Sequence, residues 1–155
     1  FPSLVMVLAA FSVSGCDSQE KAAAPREAGA QEGISISDGR FVLPAVKGNP
    51  GAVYFTVHND SADPVTIQGA EVKGAKSAMI HQTAMADGMS EMHAMPAVAV
   101  PARGTLAFKP GGLHVMAMDL DDTLAKGATT DVKLTFASGE EAVFPVEILA
   151  AGDAR

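Results

Sequence analysis

Soft metal-ligand chemistry is concentrated between His81 and Met116. That stretch holds three of the four histidines (His81, His93, His114) and five of the eight methionines (Met85, Met89, Met92, Met95, Met116). Four of these residues stand in a fixed pattern: His81, ten residues, Met92, twenty-one residues, His114, one residue, Met116. Imidazole nitrogen and thioether sulfur are neutral, soft donors that favour Cu(I) over Mg, Ca or Mn. In a strand, residues i and i+2 share a face, so His114 and Met116 can converge on one ion. The Gly111-Gly112 turn before them lets the backbone approach closely. His81 falls at the end of another strand and Met92 follows a hairpin-like reversal, which can bring those two together.

His81, Met92, His114 and Met116 are therefore the candidate metal ligands, two nitrogens and two sulfurs around Cu(I), a d10 ion with no strong geometric demand. Taken singly, a methionine more often fills a gap in a core and a histidine more often sits on a surface. Met79 and Met95 accordingly read as core or rim residues, and Met118, on the face of Met116, as either core or a fifth sulfur. Met85, Met89 and His93 form a weaker accessory candidate on a hairpin, where Cu(II) is a second possible guest. His58 has no soft neighbour in sequence and reads as structural.

The elements that must position these residues read as short strands between turn formers. Residues 34–39 alternate and run on through 40–44 to a Lys47-Gly48-Asn49-Pro50-Gly51 turn. Ala52 to Asn59 is rich in β-branched and aromatic residues, and Val65 to Val72 and Ser77 to Gln82 follow. Ala86-Asp87-Gly88 returns the chain through Met89 to Met95. Further strands are expected at 97–100, 106–108, 113–120, 131–136 and 142–149, with a loop at 121–127 that has room for one helical turn. Short strands at this spacing, without a long segment of helical period, predict an all-β sandwich or barrel.

The chain of 155 residues has room for one domain of average size. The core should rest on Val, Leu, Ile, Phe and Met, since there is no Trp and only Tyr54. A net charge of −7 argues against nucleic acid or an anionic membrane surface as partner. The one cysteine, Cys16, excludes an intramolecular disulfide. It also excludes a blue-copper site in the domain, which needs a thiolate beside two histidines. Residues 4–13 are an apolar run too short to span a bilayer, followed by Val13-Ser14-Gly15-Cys16. This resembles the lipobox of bacterial lipoproteins, in which the cysteine is lipidated. The expected organisation is a signal peptide over 1–15, lacking its start, Cys16 and a polar tether over 16–33, a β domain over 34–150, and a short tail over 151–155. Thioether ligands suit an oxidising compartment, where thiols would be lost to oxidation. No Ser/His/Asp or paired-carboxylate arrangement stands out, and Asp119, Asp121 and Asp122 read as a solvated loop, so an enzyme is not expected.

The pattern His81-x10-Met92-x21-His114-x-Met116 is similar to the ligand signature of the periplasmic copper chaperones called the PCuAC family. The phrases Ala52-Val53-Tyr54-Phe55-Thr56-Val57-His58-Asn59, Pro110-Gly111-Gly112-Leu113-His114-Val115-Met116 and Val132-Lys133-Leu134-Thr135-Phe136 resemble it too, and the likeness runs from about Ile34 to Ile148. The resemblance implies a cupredoxin-like β-sandwich with a surface-exposed Cu(I) site formed by His81, Met92, His114 and Met116. A monomer is expected on the periplasmic side of a bacterial membrane, attached only through its lipid, or soluble in the periplasm where the signal is an ordinary cleaved one. The implied partner is a copper acceptor, the CuA subunit of cytochrome c oxidase or a Sco-type protein. The alternative is a periplasmic protein that sequesters copper for resistance. Some relatives carry a His/Met-rich C-terminal tail; Ala150 to Arg155 contain neither residue, so Cu(II) binding by a tail is not expected.

Overall fold

The structure, a computed structural model, describes residues 31–153. The proposed signal peptide, the lipidated Cys16 and most of the tether lie outside the described residues. Within them the chain forms ten strands and no helix. In order these are β1 (Ile34–Val42), β2 (Gly51–Asn59), β3 (Val65–Val72), β4 (Ala75–Ala86) and β5 (Met89–Ala94). They continue with β6 (Val98–Val100), β7 (Gly104–Phe108), β8 (Leu113–Leu120), β9 (Thr129–Phe136) and β10 (Glu141–Leu149). Residues 121–127 form the expected loop, built of turns without a helical one; a bond from the Leu124 amide to the Asp121 carbonyl closes one of them.

Hydrogen bonding links the strands in the order β5-β4-β8-β2-β1-β10-β9-β3-β6, with β7 also on β2. The sheet folds over at β1, which pairs antiparallel with β2 on one side and parallel with β10 on the other. A bulge between Ser37 and Arg40, where Asp38 takes a left-handed φ of 57°, bends β1. Buried residues of both halves, Val53, Phe55 and Val115 from one and Leu134, Phe144 and Val146 from the other, share one core, where the rings of Phe55 and Phe144 meet edge-on at 5.0 Å. The two halves face one another as a sandwich.

The alternation of the sequence explains which face is buried. On β2, Val53, Phe55 and Val57 point inward, while Ala52, Tyr54, Thr56 and His58 point outward. The interior is filled by Phe41, Phe136, Ile67, Leu134, Ile148, Val115 and Val132, and Phe55 stacks on Phe108 of β7 at 4.3 Å. Gly51 opens β2 because a Cβ there would come within 2.8 Å of the Phe41 ring. Asn59, fully buried at the far end, is satisfied on both sides of its amide. Its Nδ2 donates to the carbonyls of Asp63 at 2.9 Å and Pro101 at 3.1 Å, and its Oδ1 accepts from the Ser61 amide at 3.0 Å. That side chain ties the β2–β3 turn to the corner between β6 and β7.

Candidate metal centre

The soft residues lie on the outer face of the half-sheet β5-β4-β8-β2. Ile80 and Val115 are buried on its inner face, so their neighbours in sequence project outward. In the β4–β8 ladder His81 stands directly opposite His114, and Met79 directly opposite Met116. Directly opposed residues share a face, with Cβ atoms about 5 Å apart. The imidazoles lie nearly parallel, ring centroids 6.0 Å apart at 22°.

Each of these rings is set by its own backbone. His114 Nδ1 lies 3.1 Å from the Gly112 carbonyl and His81 Nδ1 lies 3.4 Å from the Met79 carbonyl. A carbonyl only accepts, so each Nδ1 must carry the proton, and the lone pair is left on Nε2. This is how a protein orients a metal-binding histidine. The fit is therefore in the donor set itself: two neutral imidazole lone pairs on one rung with a thioether beside them. Among the described residues no three His, Cys, Asp or Glu side chains gather as a metal group, so a centre on this face needs the methionines.

His114 is 7% exposed and closed in on one side by Tyr54, whose ring centroid lies 6.4 Å away. Burial pushes the Tyr54 hydroxyl above its usual range, and Arg40, whose guanidinium lies 5.2 Å over the ring, draws it partly back. Tyr54 is thus a neutral wall at physiological pH and adds no hard phenolate donor. Exposure rises outward from there, through half-buried His81 and Met116 to Met92 at 56%.

Met92 sits on the third strand of this face. It opposes Thr83, while His81 opposes Ala94, so Met92 is one rung off the histidine pair. On a flat ladder it would lie about 12 Å from His114 and about 17 Å from Met116 at the Cβ atoms. It reaches the pair only if the β4–β5 ribbon coils back over β8; two-stranded ribbons twist more than wide sheets do. Opposite His81 on that ribbon stands the small Ala94. The ribbon is closed by Asp87-Gly88, both at left-handed φ (51° and 78°), a two-residue turn of the type that follows the strand twist.

One expectation changes. The accessory group Met85, Met89 and His93 does not converge. Met85 opposes Ser90 on the face of His81, whereas Met89 and His93 oppose Ala86 and Gln82 on the other face of the ribbon. Met89 and His93, four residues apart on one strand, are separated by about 14 Å, and His93 Nε2 instead lies 3.4 Å from Glu91 Oε2. Of the two readings open for Met79, core or rim, the structure gives the rim: it is 46% exposed on the outer face, beside His81. Its spacing from His81, i and i−2 in a strand, was the available signal. Met95 packs against the core, and Met118 opposes Ser77, one rung beyond Met116. His58 has both ring nitrogens occupied, by the hydroxyls of Ser37 at 3.0 Å and Thr105 at 3.3 Å.

A family model of LpqE-like putative lipoproteins matches residues 34–148. A putative lipoprotein of Leifsonia xyli subsp. xyli is 27% identical over 137 residues, covering 88% of this chain and 81% of the relative. The Cu(I)-bound solution structure of DR1885 from Deinococcus radiodurans is 30% identical, with a TM-score of 0.60 over 79% of this chain and 80% of that one. The copper-bound PCuAC domain of PmoF2 superposes with a TM-score of 0.65 over 78% of this chain and 96% of that one, at 20% identity. The chain belongs to the LpqE-like family of putative lipoproteins, and its fold is the cupredoxin-like β-sandwich of the PCuAC domains.

Proposed function

We propose that this protein is an extracytoplasmic Cu(I) metallochaperone, not an enzyme, tethered by lipid at Cys16 on the periplasmic side of a bacterial membrane. One observation carries the reading: His81 and His114 share a rung, both present Nε2, and Met116 stands beside them. The likeness to the Cu(I)-bound DR1885 structure supports the choice of metal. His81, His114, Met116 and Met92 are the proposed ligands. Copper is the cargo: neutral donors hold it without adding charge, and a thiolate-bearing acceptor draws it away down an affinity gradient.

The exposure of the donors favours delivery over storage. A store gains from a closed cage, whereas here Met92, on the ribbon, is more than half exposed. An acceptor can replace that ligand first and the buried His114 last. The acceptor we propose is the CuA subunit of cytochrome c oxidase or a Sco-type protein. The test is a Cu(I) titration of the lipid-free chain against a chromophoric chelator, with a His114→Ala, Met116→Ala variant alongside. One tight equivalent in the parent, lost in a variant that still melts cooperatively, is expected; equal binding by the two proteins refutes the site. A deletion strain then separates delivery from sequestration, oxidase activity falling at low copper in the first case and copper tolerance falling in the second.

A further inference from the structure

The β4–β8 register places a third thioether where the sequence pattern has none. Met79 stands to His81 as Met116 stands to His114: two residues along the same strand, on the same face, and directly opposite one another. Together the four form a two-by-two block of side chains. On an antiparallel ladder every member of such a block lies within about 8 Å of every other at the Cβ atoms. Met92 meets no comparable condition, being a strand and a rung removed from His114.

Met79 is also unclaimed by packing. It is 46% exposed, although its strand neighbours Ala78 and Ile80 serve the core. A long apolar side chain left on a sheet surface, beside an imidazole whose Nδ1 is turned to that same residue's carbonyl at 3.4 Å, has a chemical use that the fold does not explain. The other methionines lack this placement. Met118 lies a rung further from the histidines, Met95 packs against the core, and Met85 lies out along the ribbon with Ser90 opposite.

Resting on the copper reading above, we propose that Met79 is a further Cu(I) ligand that exchanges with Met92. With the ribbon coiled over the pair, His81, His114, Met116 and Met92 hold the ion. When an acceptor engages the exposed ribbon and draws Met92 off, the Met79 sulfur takes its place. One copper–thioether bond breaks as another forms; both donors are neutral, so copper stays Cu(I) and no proton or electron moves. The ion is thus never left three-coordinate beside water while its outer ligand is being replaced.

The experiment follows methionine methyl groups by 13C-methyl NMR during a Cu(I) titration of the lipid-free protein. Chelator competition is measured in parallel on Met79→Leu, Met92→Leu and the double variant, leucine being close to methionine in volume. The expected result is a copper-dependent shift of the Met79 methyl, largest in the Met92→Leu protein. Each single variant should lose about tenfold in affinity or less, and the double variant about tenfold more than the product of the two, as for side chains that substitute for each other. If the parent binds one equivalent while the Met79 methyl does not move, and the double variant binds like Met92→Leu, the Met79 assignment is overturned and the chaperone reading stands. If the parent takes up no Cu(I), both fall.

Discussion

Two histidine environments on one sheet face opposite ways chemically. His58, near the end of β2, lies between the hydroxyls of Ser37 and Thr105, which engage both ring nitrogens. His114, on β8 of the same half-sheet, has Nδ1 on a backbone carbonyl, a second imidazole across the ladder with its centroid 6.0 Å away, and Met116 two residues along the strand on the same face. Both are outward residues of alternating strands. The difference lies in what stands across the ladder: a hydroxyl residue consumes an imidazole's lone pair, whereas a histidine or methionine leaves it for a guest. The first environment holds strands together; the second is held open by the strands.

The strongest way to break that comparison is His114→Ala. Loss of an outer hydrogen-bond partner already lowers metal affinity about 10–100-fold, so removing the ligand should cost at least about 100-fold in Cu(I) affinity. Chelator competition reads this directly, and a loss under tenfold would put His114 in the same class as His58. Asn59→Ala acts on the scaffold alone. It strips partners from three buried or half-buried backbone groups and should cost about 3 kcal/mol in urea unfolding, with Cu(I) affinity unchanged in the folded protein. His58→Ala should cost about 1 kcal/mol of stability and leave copper affinity within about twofold of the parent; a larger copper effect would mean the two regions are coupled.

The smallest effect belongs to Lys133 on β9, which lies 3.1 Å from Glu71 and 3.2 Å from Glu141. Hydrogen bonds to Glu71 and then Glu141 raise its ammonium above the usual lysine range. A raised value means this contribution is present at neutral pH and is lost as pH climbs past the ordinary lysine value and through the folded one. Because the group is solvated, Lys133→Gln should shift the urea midpoint slightly at low salt and not at all at high salt. Copper binding should not respond.

Much of the fold was legible because burial and alternation coincide. Val53, Phe55 and Val57 announced β2, and the 113–120 strand matched β8 to the residue. The Asp87-Gly88 turn was legible for the same reason, since few residues tolerate two successive left-handed φ values. The accessory group of Met85, Met89 and His93 misled because nearness in sequence says nothing about faces: a ribbon alternates them, and Met85 and Met89 fall on opposite sides. Met79 read as core or rim, not as a ligand, because a single methionine more often fills a gap than binds a metal. Only its partner across the ladder, Met116, distinguishes it.

By itself the sequence determined the donor types, their spacing, and the shared face of His114 and Met116, because a strand's period of two is a local property. It also determined that residues 34–150 carry no thiol of their own, since the one cysteine is Cys16. The tertiary structure decided that His81 meets His114, that Met79 meets Met116, and that Met92 stands a rung away on a separate strand. Register between strands far apart in sequence depends on turn geometry and on which face the core claims, and a slip of one residue would turn the proposed ligands inward. Ile80 and Val115, buried on the reverse side of that ladder, hold the register and so keep the histidines facing outward.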